Sequence, residues 1–333
     1  MERINVQDQS AAGQARRSCA ALCRDLGLDE ITAGKAAIIS TELATNLIKH
    51  AKSGYILLQA LRTREMPGVE ILSIDSGPGM ADVSRCLSDG YSTAGTSGGG
   101  LGSIKRVSDE FDLYSKALSG TLVVCRLWAA RQRLLCNQEN FCFGAIASPM
   151  HLNEPCGDAW AVIENGHKIS AIVADGLGHG IDAAEAANAA VAIFKKHQPC
   201  GPAEIAEVVH NGLRATRGAA IGIAEIDRAT QTLRYCGIGN VAARILNGSS
   251  SRQLMSHNGT AGAQVWKIEE HRYPWPEKSI CVMNSDGIAT HWNLDAFPGI
   301  MQRHSGLIAA AVYRDFKRTN DDVSVLVIKE NAR

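Results

Sequence analysis

Residues 169–180 read ISAIVADGLGHG, an apolar run that closes on Asp175 and passes into a glycine-rich turn. A short apolar run bounded by turn residues predicts a buried strand, and this one delivers a carboxylate at its end. The pattern recurs. Residues 280–289, ICVMNSDGIA, end a second apolar run at Asp286; residues 156–160, CGDAW, place Asp158 ahead of a third; and residues 321–328, DDVSVLVI, open the last with Asp321 and Asp322. One Asp-Gly step is a turn, but turns do not explain four acidic strand ends in one half of a chain. Hard divalent cations require oxygens converging from separate segments, because one strand cannot wrap an ion. Carboxylates gathered without a cation repel each other. Glycine follows Asp175 and Asp286 directly, which lets the chain turn and expose a carbonyl there.

Around these four segments, strand-like runs are expected over 159–164, 168–174, 219–226, 232–238, 242–246, 279–284 and 323–328, with helices over 181–197 and 202–215. Many strands with few helices predict a two-sheet core with helices outside. Nearer the start, 11–26 and 31–50 carry apolar residues at helical spacing, with Gly27 as a stop between them. Strands are expected over 55–62 and 69–75, joined by a turn at 64–68 that contains Pro67. A helix over 104–111 and a closing strand over 122–128 complete one α/β unit. The polar stretch 131–140 is the candidate linker.

In STELATNLIKHA (40–51), Glu42, Asn46 and Lys49 or His50 share one helical stripe beside Ile39, Leu43 and Leu47. A carboxylate, an amide and a cation on one face suit a hydrated Mg²⁺ and a polyphosphate, although the same stripe also reads as a solvated face. The next strand ends at Asp75, followed by SGPGM, and glycines recur at 95, 98, 99, 100 and 102 just before a helix near Ser103. Backbone amides at such a helix start attract phosphate. No GxxxxGK[ST] loop occurs.

In this order, ELATNLIKHA, DSGPGM, DGYSTAGTSGGGLGSIKRVSDEF and SGTLV resemble the GHKL nucleotide-binding fold over roughly the first 130 residues, most closely its RsbT-like anti-sigma and switch-kinase branch. The resemblance implies that Glu42 aids phosphoryl transfer, Asn46 binds Mg²⁺, Asp75 recognises the adenine amino group and Gly77 and Gly79 shape its pocket. It also implies that Gly98, Gly100 and Gly102 belong to a lid over the phosphates of ATP and that Thr121 lies near the adenine. The substrate in this branch is a serine or threonine on a small STAS-domain partner. Over about residues 140 to 330, the four acidic segments together with RGAAIGIAEID, GIGNVAARI and SHNGTAG resemble the metal-dependent protein phosphatase 2C family, in its SpoIIE and RsbX-like branch. That resemblance implies two Mn²⁺ or Mg²⁺ ions held by Asp175, the Gly176 carbonyl, Asp286 and Asp321, with Asp158 supporting the attacking water. The expected fold is therefore α+β. A GHKL-type α/β sandwich (1–133) precedes a protein phosphatase 2C-like β-sandwich flanked by helices (140–333).

Composition is consistent with this. The 333 residues favour two domains, and 34 basic residues balance 34 acidic ones, which argues against a nucleic-acid binder. No apolar run approaches the ~20 residues of a membrane span, and the start MERINVQDQSAAGQARRS lacks an apolar signal core, so a cytoplasmic protein is expected. The 10 cysteines form no CxxC pair, so reduced thiols are expected and zinc is not. Cys125 and Arg131 satisfy the CxxxxxR spacing of cysteine phosphatases, but the intervening RLWAA is bulky and no histidine precedes. GLGHGIDAA after a strand approximates a dinucleotide fingerprint, yet Asp175 would stand against the pyrophosphate. The leading expectation is one chain with opposing activities: an ATP-dependent serine/threonine kinase or anti-sigma module fused to a phosphoserine/phosphothreonine phosphatase. The alternative makes the first domain a non-catalytic ATP-dependent sensor or partner-capture module.

Overall fold

The computed structural model describes residues 1–51, 53–63, 66–87, 100–129 and 140–331. Its contacts divide the chain into two units, Met1–Gln138 with Leu294–Ala311, and Glu139–Asn293 with Val312–Arg333.

The first unit is a five-stranded antiparallel sheet in the order β1 (Glu2–Val6), β2 (Gly54–Thr63), β3 (Met66–Asp75), β5 (Thr121–Trp128), β4 (Glu110–Ser115). Helices α1 (Gln9–Asp25) and α2 (Glu30–His50) cover one face, while α3 (Val83–Leu87) and α4 (Gly100–Val107) lie between β3 and β4 in sequence. Asp8 starts α1, its carboxylate accepting from the amides of Ser10 and Ala11, and Asp29 does the same for α2 at Thr32. Gly27, at φ +67°, stops α1 where the sequence places the break. Helix α2 buries Ala36, Ile39, Leu43, Ala44 and Leu47 at helical spacing. They meet Ile56, Leu58, Val69, Ile71, Val123, Cys125 and Leu127 of the sheet. Each such large side chain contributes about 1.5–3 kcal/mol on burial.

On the opposite face, Gln59, Glu70, Arg126 and Glu110 stand on one rung across β2, β3, β5 and β4. Gln59 donates to Glu70, Arg126 Nε pairs with Glu70 Oε2 at 2.7 Å, and Arg126 Nη1 meets Glu110 Oε2 at 3.3 Å. Residues Leu294–Ala311 of the same unit touch this face: His304 Nε2 lies 3.2 Å from Glu110 Oε2, and the Phe297 ring is 6.1 Å from Tyr114.

Two readings of this half change and one strand goes unread. Pro67 and Gly68 are strand residues opposite Arg62 and Leu61, and the Pro67 carbonyl accepts from Ala129, so neither is a turn residue. The helix expected over 104–111 starts at Gly100 and ends at Val107; Phe111 belongs to β4, opposite Cys125. Strand β1 has only Ile4 and Val6 as its buried alternation, too short a pattern to separate from a polar terminus.

The second unit holds two sheets. One runs β13 (Ser256–His257), β10 (Thr232–Ile238), β9 (Ala219–Asp227), β8 (Lys168–Gly176), β7 (Asp158–Asn165), with β14 (His271–Pro274) also on β10. The other runs β12 (Ser250–Gln253), β11 (Ala242–Asn247), β15 (Ile280–Asn284), β16 (Val323–Glu330), β6 (Phe141–Ser148). Helices α5 (Ile181–Lys196) and α6 (Pro202–Gly212) cover the first sheet, packing Ala187, Ala190, Phe194, Ile205 and Val209 against Ile172, Ile221, Ile223 and Ile238. The other face meets the second sheet. A Cβ at Gly222 of β9 would lie 3.2 Å from Met283 Cε of β15, and Phe143 of β6 stacks obliquely on Trp160 of β7 at 5.9 Å. This is the expected sandwich flanked by helices. Strand β6 escapes the sequence reading because it follows 131–140 directly; of that linker stretch only Asn140 is described.

Candidate functional site

The second unit gathers its acids because of strand direction. Strands β7 and β8 are antiparallel, and Asp158, first in β7, stands directly opposite Asp175 near the end of β8. Strands β15 and β16 are likewise antiparallel, so Asp286, just past β15, and Asp321, just before β16, emerge at one end of the other sheet. Asp175, Asp286 and Asp321 line one cavity of about 430 Å³, together with Asn240, Asn258 and Thr260. Asp158, opposite Asp175 in the ladder, is buried with Oδ2 unpartnered and is not among the lining residues.

Like charges under partial desolvation bind protons. Burial, with the charges of Asp158 and Asp286 added, pushes Asp175 up to about 9. Burial, with the charges of Asp322 and Asp321, pushes Asp158 up to about 7. Asp321 is also raised, by burial and then by Asp286. The donors are hard oxygens from four chain segments, one of them orphaned, which fits oxygen-seeking divalent cations.

Asp322 is held elsewhere. Oδ1 accepts from the Met150 amide at 2.6 Å and Oδ2 from the Gly157 amide at 2.7 Å, fastening the β6–β7 connection. Asp321, not Asp322, lines the cavity. The glycines after Asp175 and Asp286 act differently from the turn reading. Neither has a positive φ, but a Cβ on Gly176 would lie 2.0 Å from the Ala183 carbonyl oxygen, and one on Gly287 1.9 Å from that of Asp322. Close backbone approach, not turning, requires glycine at both. His179 is exposed, its Nδ1 3.5 Å from Glu154 Oε2, and does not line the cavity.

Asn240, Asn258, Gly259 and Thr260 lie in GIGNVAARI and SHNGTAG, stretches to which sequence reasoning gives no role. Asn240 Nδ2 donates to Asp286 Oδ2 at 2.5 Å. A polar residue after a glycine at a strand end is the one signal that marks it.

In the first unit, Glu42 and Asn46 sit one turn apart on α2, and Asn46 Nδ2 is buried without a partner. A Cβ on Gly100, the first residue of α4, would be 3.1 Å from Glu42 Oε2 and 3.8 Å from Asn46 Oδ1. Gly100 therefore places the start of α4 against this pair of side chains. Asp75 Oδ1 accepts from the Gly77 amide at 2.7 Å and the Thr121 amide at 3.1 Å, joining the end of β3 to the start of β5. Gly79, at φ +67°, would put a Cβ 2.1 Å from the Lys116 carbonyl oxygen. Thr121 Oγ1 is 2.9 Å from Ser115 Oγ, which accepts from the Met80 amide. The structure thus groups Glu42, Asn46 and Gly100, and separately Asp75, Gly77, Gly79 and Thr121. Gly102 is buried inside α4, and Gly98 lies outside the described residues. Cys125 is buried in β5, and burial pushes its thiol up to about 12, the reverse of an activated nucleophile.

Known proteins match both halves. Residues 6–127 match the histidine kinase-like ATPase domain, and the serine/threonine-protein kinase RsbT of Bacillus subtilis (strain 168) is 35% identical over 121 residues, 36% of this chain and 89% of that protein. A solved structure described as "The bacterial stressosome: a modular system that has been adapted to control secondary messenger signaling" is 26% identical, with TM-score 0.54 over 57% of this chain and 100% of that one. RsbX in complex with magnesium shares the fold at 20% identity and TM-score 0.51, over 58% of this chain and 96% of its own. Residues 165–331 match the stage II sporulation protein E model. The chain belongs to the SpoIIE family and carries at its N-terminal side a histidine kinase-like ATPase domain related to RsbT.

Proposed function

We propose that residues 140–333 remove phosphate from phosphoserine or phosphothreonine of a protein, and that residues 1–133 bind ATP with Mg²⁺ and phosphorylate a STAS-domain partner in the cytoplasm. The observation that carries the first half is the convergence of Asp175, Asp286 and Asp321 from separate strand ends on one cavity, with Asp158 opposite Asp175 in the ladder and the proton affinities of Asp158, Asp175 and Asp321 raised by burial and by neighbouring carboxylates. Asp175, Asp286, Asp321 and the Gly176 carbonyl would hold two Mn²⁺ or Mg²⁺ ions. Bound there, such cations would supply neutralisation of charge on phosphoryl oxygens and a lowered pKa for the attacking water. Asn240 fixes the Asp286 carboxylate through its side-chain amide. Asp158, buried opposite Asp175, would support the attacking water. No protein nucleophile is needed.

In the first unit, Asn46 offers its amide oxygen to Mg²⁺ and Glu42 assists transfer of the γ-phosphoryl group. The amides opening α4 receive the phosphates, with Gly98, Gly100 and Gly102 forming the lid. Asp75, Gly77, Gly79 and Thr121 form the adenine end. The kinase reading is supported by the likeness to RsbT, a serine/threonine-protein kinase.

The test is Mn²⁺-dependent phosphate release from an aryl phosphate and then from phosphorylated STAS proteins, beside Asp175→Asn and Asp286→Asn. Release that survives chelation or both substitutions overturns the phosphatase mechanism. Transfer of labelled γ-phosphate to a STAS partner, lost in Glu42→Ala with ATP binding retained, supports the kinase; binding without transfer in the parent replaces it with a nucleotide-dependent capture module.

A further inference from the structure

A second group of ligand atoms lies outside the acidic cavity. His257 Nε2, Glu269 Oε2 and His271 Nε2 converge, with separations of 3.1 Å (His257 to Glu269), 3.4 Å (His257 to His271) and 3.7 Å (His271 to Glu269). The backbone brings them there. Strand β13 pairs His257 with Ile238 of β10, and β14 pairs His271 with Tyr235 of the same strand. The imidazoles are 5.6 Å apart by ring centroid, both about three-quarters covered.

Protons can satisfy part of this triangle, since a carboxylate oxygen accepts from one or both imidazoles. A single cation satisfies all three atoms at once. The point equidistant from them lies about 2.0 Å from each, which is the Zn–N and Zn–O bond length. Two imidazoles and one carboxylate suit Zn²⁺ or its borderline neighbours over Mg²⁺ and Mn²⁺, which prefer oxygen. Lys267 Nζ, 2.7 Å from Glu269 Oε2, is the competing cation; its side chain is exposed and free to swing away.

We infer that His257, Glu269 and His271 form a zinc-class site, separate from the acidic cavity, that clips the base of the 258–268 loop. This reverses the expectation from cysteine spacing: the ligands are histidines separated by a long insertion, and only sheet pairing makes them neighbours. The consequence reaches the cavity, because the loop leaves His257 through Asn258, Gly259 and Thr260, three of its lining residues. The loop is otherwise fastened by the bridge of Ala261 to Ala219 and by the Gly262 amide donating to His210 Nδ1.

The test titrates the full, metal-stripped chain with Co²⁺ in excess Mg²⁺, reading visible d–d absorption and displacement by Zn²⁺. The same titration is run on His271→Gln, Glu269→Gln and Asp286→Asn. One equivalent of Co²⁺ with d–d bands is expected in the parent and in Asp286→Asn, with affinity down by at least about a hundredfold in the two ligand variants. Zn²⁺ is also expected to slow amide exchange across 258–268 in the parent and not in His271→Gln. No Co²⁺ bound beside Mg²⁺ in the parent overturns the inference and leaves a hydrogen-bonded triad. So does affinity unchanged in folded ligand variants, while binding lost in Asp286→Asn assigns the ion to the acidic cavity.

Discussion

Both units take carboxylates out of water, and they treat them in opposite ways. In the first, Glu70 and Glu110 flank the Arg126 guanidinium on one rung of the sheet. Burial pushes the Glu110 carboxyl up, but Arg126 and His304 outweigh it and hold it at about 2. In the second, Asp158 and Asp175 stand opposite one another with Asp286 and Asp321 nearby and no cationic side chain among the residues lining the cavity, and their proton affinities rise to about 7 and 9. Burial is common to both; the sign of the neighbour decides. Charges that satisfy each other hold a sheet together, whereas charges that repel each other are an unfilled demand for a ligand.

The largest effect should come from removing the neutralising partner. Arg126→Met leaves Glu70 buried with only Gln59, and breaking a buried pair from one side costs about 3–5 kcal/mol. Chemical denaturation should show the first unit unfolding at markedly lower denaturant, with metal-dependent phosphate release from the second retained. A loss under about 1 kcal/mol would mean that water reaches the rung.

Removing a repelling partner should do the reverse. Asp286→Asn should lower phosphate release by at least about a hundredfold, about 2.7 kcal/mol of barrier, while raising the melting temperature of the metal-free chain. A variant that is both inactive and less stable without metal would count against the contribution of Asp286 to the raised proton affinities of Asp175 and Asp321.

The same contrast sets opposite pH dependences. Glu110 is depressed in the folded state, so its contribution is complete above the unfolded value of 4.5 and is lost as pH falls toward about 2. Asp158 and Asp175 are raised from 3.8, so the folded chain holds protons that the unfolded chain has released. Their stabilisation is complete below about 3.8 and is lost as pH rises through about 7 and about 9. Each proton of difference gives at most about 1.4 kcal/mol per pH unit. Melting curves of metal-free protein should fall across this range, and saturating Mn²⁺ should flatten the slope. A slope unchanged by Mn²⁺ would place the cation elsewhere.

How much of this the sequence reveals depends on how local the cause is. The α2 stripe is legible because Glu42 and Asn46 are one helical turn apart, and the strand ends because Asp175 and Asp286 close apolar runs. The choice of Asp321 over Asp322 rests in the sequence on the resemblance alone, not on the residue pattern. In the structure Asp322 is held by the amides of Met150 and Gly157, far away in the chain. Strand β4 hides behind α4 since Phe111 suits either element until it pairs with Cys125. Cavity residues such as Asn240 carry no periodic signal, and the rung of Gln59, Glu70, Arg126 and Glu110 exists only once four strands are in register.

In the nucleotide half, Asn46 supplies a corresponding test of an unsatisfied group. Its buried Nδ2 has no partner, so Asn46→Ala removes an unmet demand from the free protein while deleting the proposed Mg²⁺ oxygen. ATP affinity measured with Mg²⁺ should weaken about tenfold to a hundredfold, with phosphate release from the other unit unchanged. Unaltered affinity would remove Asn46 from the proposed Mg²⁺ ligands.

The smallest effect belongs to Asn240, which acts on Asp286 through one hydrogen bond. Asn240→Ala keeps every acidic ligand and removes the bond that orients one of them; a hydrogen bond to a charged group is worth about 1.5–3 kcal/mol, of which a bound cation restores part by holding the carboxylate itself. The expected outcome is a fall of about fivefold to tenfold in phosphate release at limiting Mn²⁺, recovering toward the parent as Mn²⁺ is raised. Asp286→Asn should not recover in this way. That difference separates a side chain that positions a ligand from one that is a ligand. If Asn240→Ala stays equally impaired at all Mn²⁺ concentrations, the amide acts on the substrate, and Asp286 is held by the strand end alone.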